Sequence, residues 1–303
     1  MTSPPPMCLE LAEWQELERI HHVSADTMTV GRRTRAARGE THPVDDFLYT
    51  YYSYKPAVLR RWHPGAGVRL KGAAATSRTQ WRGYRGEGDD LVVDAALFAN
   101  EKNTLVRAVA GVLRATALKT PSFGCFGLHE WAMLYRSSEV RHDVPLRLGT
   151  SGTNAVVERH EIRCTHFDAF RFFTPAAGPR NIIQLSAQER VNNEQPGCLH
   201  SNMDLYKWAV KLGPLVPGQL LLETFDLAKS IREVDMRASP YDLSAWGYAP
   251  IAIETSAGKT EYGRMQRVFA TRAAPLRDQL ERIALDALAA SRHAPRTDHS
   301  EYA

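Results

Sequence analysis

MDLYKWAVKL at 203–212, GPLVPG at 213–218 and QLLLETFDLAKSIREVDM at 219–236 read together as helix, tight connection and helix. Apolar residues recur every three or four positions in both flanks, and the Pro and Gly between them punctuate the pattern. Working outward, residues 91–118 have the spacing of a long helix closed by Pro121, and residues 262–291 that of a last helix interrupted or kinked at Pro275. Residues 9–22 predict a first helix. Residues 23–45 mix Thr, Arg and Gly without a period and predict a connection. The aromatic and basic run 47–67 is cut by Pro56, Pro64 and glycines into short pieces. GVRLKG at 67–72 and WRGYR at 81–85 predict short strands, as do AVVERHEIRC at 155–164 and IAIE at 251–254. A Gly-rich loop turns helical near Leu128, THFDAFRFF at 165–173 predicts a short helix, and residues 192–200 a loop. The expectation is a mainly α fold with a small β-sheet (α+β), forming a single compact globular domain over residues 9–292. Residues 1–8 are expected to be flexible and 293–303 a disordered tail.

Composition places the chain among ordinary globular proteins: 303 residues, 44 % hydrophobic and 24 % charged. No apolar run reaches the length of a membrane helix, and the N-terminus lacks a secretory pattern, so a soluble cytoplasmic protein with no membrane partner is expected. The net charge of +4 is too small to imply nucleic-acid binding by itself. Of the 38 basic residues 8 are Lys and 30 are Arg, a bias that suits phosphate or carboxylate recognition and also follows from a GC-rich genome. Four scattered cysteines without a CxxC pair exclude a disulfide scaffold.

Three of those cysteines mark similar junctions: Cys125, His129, Glu130; Cys164, His166, Asp168; and Cys198, His200, Asp204. If the three meet in space, His129, Glu130, His166, Asp168, His200 and Asp204 supply a mixed site for Fe, Mn or Zn. His200 and Asp204 are four apart and share a helix face, whereas His129 and Glu130 are adjacent and diverge in a regular element. A structural explanation competes. Thr165-x-x-Asp168 and Ser201-x-x-Asp204 have the form of capping boxes, so both aspartates serve as helix starters on that reading. Glu130 escapes it. Cys125, Cys164 and Cys198 are also weak candidates for nucleophiles beside their histidines.

A second constellation interleaves rings and cations: Tyr51, Tyr52, Tyr54, Lys55, Arg60, Arg61, Trp62 and His63, then Trp81, Arg82, Tyr84 and Arg85. Rings stack on bases while arginines hold phosphates, so the mixture fits a nucleic acid or nucleotide, and also an aromatic core edge with solvated arginines. Leu215-Val216-Pro217-Gly218 partly matches the turn of a helix-hairpin-helix, with Asp235 17 residues beyond Gly218, but an extra Val and a missing Gly favour an ordinary hairpin. No GxSxG elbow, P-loop or dinucleotide fingerprint is present.

Several blocks taken together, FLYTYYSYKPAVLRRWHPG (47–65), FGCFGLHEWAMLYR (123–136), RCTHFDAFRFFTP (163–175), EQPGCLHSNMDLYKWAVKL (194–212) and DMRASPYDL (235–243), resemble a group of actinobacterial proteins named 3-methyladenine DNA glycosylase. The resemblance implies an N-glycosidic hydrolase that removes alkylated or modified purines from DNA in base-excision repair, with no cofactor. The residues add the candidates: Glu130, Asp168 and Asp204 for catalysis, Tyr52, Tyr54, Trp62 and Trp131 for base stacking, and Arg60, Arg61, Arg82 and Arg85 for phosphates. The rival expectation is a metal-dependent enzyme acting on a small molecule through the His/carboxylate junctions. A non-catalytic binding protein is the third. Oligomeric state is not legible in the sequence.

Overall fold

The hairpin predicted at 203–236 lies at the centre of the molecule. The computed structural model describes residues 7–138 and 142–293; the expectations for residues 1–6 and 294–303 lie outside them. The chain enters through β1 (Cys8–Leu9) and the long α1 (Leu11–Ala37), followed by α2 (Phe47–Tyr51) and α3 (Pro56–Arg60). Strands β2 (Arg69–Leu70), β3 (Tyr84–Glu87) and β4 (Asp90–Val93) precede α4 (Ala95–Glu101) and α5 (Asn103–Ala117). Four short helices come next: α6 (Leu128–Ala132), α7 (Gly149–Arg159), α8 (Phe167–Phe170) and α9 (Arg190–Asn193). The chain ends in three long helices, α10 (Leu199–Leu212), α11 (Gly218–Arg237) and α12 (Ser256–His293). The architecture is mainly helical with one four-stranded sheet of order β1-β2-β4-β3. β1 runs parallel to β2, with Cys8 opposite Arg69, and the other pairings are antiparallel. No helix among the described residues is long and apolar enough to cross a membrane.

α10, α11, α12 and α5 pack on one another because each carries an apolar stripe, such as Val106, Val109 and Leu113 on α5 and Leu220, Leu227 and Val234 on α11. The main core is one contiguous cluster from Trp14 to Leu288, and a smaller one gathers Val44, Leu134, Val144, Met236, Tyr241 and Leu243.

Several local expectations are corrected. α1 continues through residues 23–37, which read as a connection, because its buried face is Trp14, His21, Ala25 and Thr29 and so carries little apolar periodicity. A capping box between Glu10 and Glu13 starts it. Residues 91–118 are not one helix: Asp90–Val93 pair as a strand, and the Asp94 carboxylate then accepts from the Leu97 amide to start α4. The first half of AVVERHEIRC, residues 155–159, closes helix α7, in which Thr153, Val156 and Val157 face inward at helical spacing. Of the second half, Ile162 makes an isolated bridge to Asn181. IAIE forms no strand; Ile251 instead donates its amide to the Arg237 carbonyl. Cys8, within the stretch expected to be flexible, pairs in the sheet.

The 213–218 turn settles the hairpin question. Pro214, Leu215, Val216 and Gly218 are buried, and the Gly218 amide donates to the His63 carbonyl at 2.9 Å. That amide is already paired inside the fold, whereas a phosphate-holding turn needs it turned outward. A Cβ at Gly218 falls 2.6 Å from the Trp62 ring and 2.7 Å from His21 Nδ1. Gly218→Ala is therefore expected to destabilise the chain by about 1–3 kcal/mol in urea unfolding.

His63 gives a pH handle. It is buried against the Tyr84 hydroxyl, 2.9 Å from its Nδ1, and burial, aided by Arg61, pushes its pKa down to about 3. The unfolded chain, with its histidine near 6.5, therefore binds a proton that the folded chain refuses. Stability is full above pH 6.5 and is lost as pH falls toward 3, by up to about 1.4 kcal/mol per pH unit. His63→Phe is expected to flatten that slope in unfolding series collected between about pH 6 and 4.

Candidate functional site

The three junctions meet. Gly127, in the left-handed region at φ +72°, turns the chain into α6 and so presents His129 and Glu130 at the start of a one-turn helix. His166 opens α8, and His200 is the second residue of α10. The three imidazoles pack together, His129 on His200 at 4.5 Å between ring centroids and His166 on His200 at 5.3 Å. Gly197 lets the α10 junction approach the α6 junction. A Cβ there falls 2.3 Å from the Ser122 carbonyl oxygen, and Gln195 bridges the two segments by accepting from the Ser122 amide at 2.8 Å.

Two groups of ligand-type atoms result. In the first, His129 Nε2 lies 3.0 Å from Asp235 Oδ1, with His200 completing a buried trio. Arg232 Nη1 donates to Glu130 Oε1 at 2.7 Å and to Asp235 Oδ2 at 3.0 Å. Adjacent in sequence, His129 and Glu130 thus serve one network, because Arg232 and Asp235 come to both from α11. In the second group, His166 Nε2 faces Asp204 Oδ2 at 3.3 Å and Glu194 Oε1 at 3.6 Å. Tyr52 donates to Asp204 Oδ1 at 2.8 Å, and Lys207 Nζ donates to Asp204 Oδ2. Asp168 is held by Arg190 at 2.6 Å and by Lys207 at 3.4 Å.

Electrostatics follow from burial and from these partners. Burial alone raises a carboxyl pKa, yet His129 and Arg232 hold Asp235 well below its ordinary range, and Lys207 and His166 do the same for Asp204. Burial likewise opposes the charge on His129, but Asp235 and Glu130 outweigh it and its pKa rises. His200, buried and beside two other imidazoles, is pushed well below its ordinary value and is neutral. Glu194 is raised by burial. The three junction thiols are raised by burial too, Cys198 to about 12, so they stay protonated and are poor nucleophiles.

A cavity of about 740 Å³ opens over this floor. Glu130, Asp168 and His200 line it, with Phe47, Tyr51, Phe172 and Trp246 as aromatic walls. Its size suits a small-molecule ligand. Phe47 and Tyr51 stack at 5.0 Å, and the Tyr51 hydroxyl is buried without a hydrogen-bond partner.

The capping explanation does not hold for Asp204, which lies inside α10 after a start at Leu199 that no side chain caps. No side chain caps α8 either. The four expected stacking rings are placed differently from the cavity walls. Trp131 is fully buried, with its indole N–H on the Ala238 carbonyl, Trp62 is core, Tyr52 is buried on Asp204, and half-buried Tyr54 stacks on Tyr52. None of them lines the cavity. Nor do the expected phosphate contacts: Arg60 pairs with Asp26, Arg82 with Glu101, Arg85 with Asp94 and Glu87, and Arg61 lies over the Trp81 ring.

Glu194, Arg190, Lys207 and Arg232 were not among the sequence candidates, and Asp235 entered only through the hairpin comparison. A signal existed for two of them: Arg232 and Asp235 stand i, i+3 between Ile231, Val234 and Met236, two charges in an apolar stripe. Arg232 is 1 % exposed, so Arg232→Met leaves two buried carboxylates uncompensated and is expected to cost about 3–5 kcal/mol in urea unfolding. Adding Asp235→Asn should return part of that loss, since a double-mutant cycle reads the pair directly.

Compared with known proteins, the chain matches no family model, no curated protein and no solved structure.

Proposed function

We propose that the chain is a metal-dependent enzyme acting on a small molecule, with Fe, Mn or Zn held by histidines and carboxylates at the floor of the cavity. One observation carries this reading. Among the buried polar atoms without a hydrogen-bond partner are His129 Nε2, Asp235 Oδ1, His166 Nδ1 and Glu194 Oε1, all in the two ligand-type groups. Three of these atoms also lie within ion-pair distance of a neighbour, His129 Nε2 and Asp235 Oδ1 of each other at 3.0 Å and Glu194 Oε1 of Arg190 at 3.4 Å. What supports a ligand is therefore the gathering of imidazole and carboxylate donor atoms within 4.8 Å of one another in each group. Imidazole and carboxylate donors suit Fe, Mn or Zn, and a bound ion of this kind supplies Lewis acidity or an activated water.

The chain's own groups have distinct parts in this scheme. Asp168, held ionised by Lys207 and Arg190 against the effect of burial, is an anion facing the cavity. Glu130 faces the same space with one oxygen on Arg232. The Tyr51 hydroxyl, kept protonated by burial, is a donor aimed at a substrate. The aromatic walls exclude water around it.

Metal analysis tests the reading. Protein purified without added metal is expected to carry Fe, Mn or Zn, and chelation should lower its unfolding temperature. Returning the metal at about 100 times Kd restores about 2.7 kcal/mol. A chain that stays metal-free and gains no stability from any of the three ions overturns the proposal.

The glycosylase reading keeps one supporting observation: Glu130 stands beside the stacked Phe47–Tyr51 wall, and a flipped cationic purine needs such a pair of features. It requires salt-sensitive DNA binding and release of free base from alkylated DNA, both lost on Glu130→Gln. Base release by protein stripped of metal would favour this second reading over the first.

A further inference from the structure

The two ligand-type groups are not equivalent. In the second, both oxygens of Asp204 are engaged: Oδ1 accepts from Tyr52, and Oδ2 accepts from Lys207 while facing His166. Lys207 also reaches Asp168, and Arg190 reaches Asp168 and Glu194. An ion entering there has to displace an ammonium group from the oxygen it needs.

The first group has no such occupant. Asp235 gives Oδ2 to Arg232 and leaves Oδ1 directed at His129 Nε2, 3.0 Å away. The two atoms face each other as an ion pair, and a cation between them would take both as ligands. Two ligands about 2.1 Å from one ion are about 3.0 Å apart at the right angle of an octahedral site and about 3.4 Å apart at the tetrahedral angle, so the observed spacing is close to what either geometry needs. His200 supplies a third donor atom within 4.8 Å of the other two, and its ring also lines the cavity. His129 is 4 %, His200 5 % and Asp235 1 % exposed, so these donors are shielded from bulk water. Two imidazoles and one carboxylate leave coordination positions for a substrate, and His200 is the member of the trio that borders the cavity.

We infer that the centre takes a single divalent ion of the Fe, Mn or Zn class, bound by His129, His200 and Asp235, and that Lys207 occupies the place of a second ion in the neighbouring group. Arg232 is a positioning residue: it holds Asp235 Oδ2 and so turns Oδ1 toward His129. The inference rests on the metal reading given above and specifies its stoichiometry and its ligands.

Equilibrium dialysis of the full chain against Zn²⁺, followed by elemental analysis, tests it. One equivalent is expected for the unsubstituted chain and for His166→Gln. Asp235→Asn and His129→Gln should bind at least about tenfold more weakly. The Zn²⁺-induced rise in unfolding temperature should follow the same division. If Asp235→Asn does not fold, His200→Gln carries the same expectation. Two equivalents in the unsubstituted chain, or one equivalent that survives Asp235→Asn and is lost in His166→Gln, overturns the assignment while leaving a metal enzyme. No bound Zn²⁺, Fe²⁺ or Mn²⁺ in the unsubstituted chain overturns the metal reading itself.

Discussion

The buried guanidinium of Arg232 is the interaction on which the centre of the molecule depends. A single nitrogen serves two carboxylates, Glu130 at 2.7 Å and Asp235 at 3.0 Å, whose positions in the chain are 105 residues apart. The same group lies 3.6 Å from the centre of the Phe47 ring. One side chain of α11 thereby ties down α6 and α2, and with them the floor and one wall of the cavity. A charge so deep has little independent value for stability, because removing it from water costs several kcal/mol. Its effect is to fix where two carboxylates point. The apolar stripes of α5, α10, α11 and α12 supply the stability against which that cost is set.

Much of this centre was legible in the sequence, for reasons that are specific to particular residues. The α10–α11 hairpin shows itself through apolar periodicity because both helices bury most of one face. His200 and Asp204 share a side of α10, as a spacing of four requires, and His166 spans them. The recurrence of Cys, His and carboxylate at three helix starts reflected a real convergence. Periodicity fails where the buried face is not apolar. The inward side of α1 includes a histidine and a threonine, so half of that helix reads as a loop. It also fails in short segments: Val156 and Val157 satisfy a strand and a helix equally over a few residues.

The aromatic and basic segment shows a different limit. Its residues are neighbours in sequence, and the chain sends them in several directions. Tyr51 reaches the cavity, Tyr52 turns to Asp204, Trp62 packs beside Gly218, and the arginines find carboxylates on nearby elements. Composition over a window records what a segment contains, whereas function depends on which side of the fold each side chain faces. Glu194 illustrates the converse. It stands just before a quoted junction, and nothing in its local pattern separates it from the exposed acids of the same loop. The packing of α9 on α5, and the Ser201 hydroxyl of α10 that donates to Glu194 Oε2, bring it beside His166.

The arrangement of partners in this polar core supports the proposed metal reading over a purely structural one. A network kept for stability alone closes on itself, because each open donor or acceptor weakens the fold. Around Asp204 both carboxylate oxygens are engaged, with Tyr52, His166 and Lys207 as partners. Around Asp235, Arg232 secures one oxygen, and the other faces the His129 imidazole nitrogen at 3.0 Å. The two groups are joined through their rings, as His166 stacks on His200 and the His200 ring meets His129 edge to face at 85°. On the proposed metal reading, burial would favour an occupant that carries positive charge and accepts electron pairs from His129, His200 and Asp235 at once.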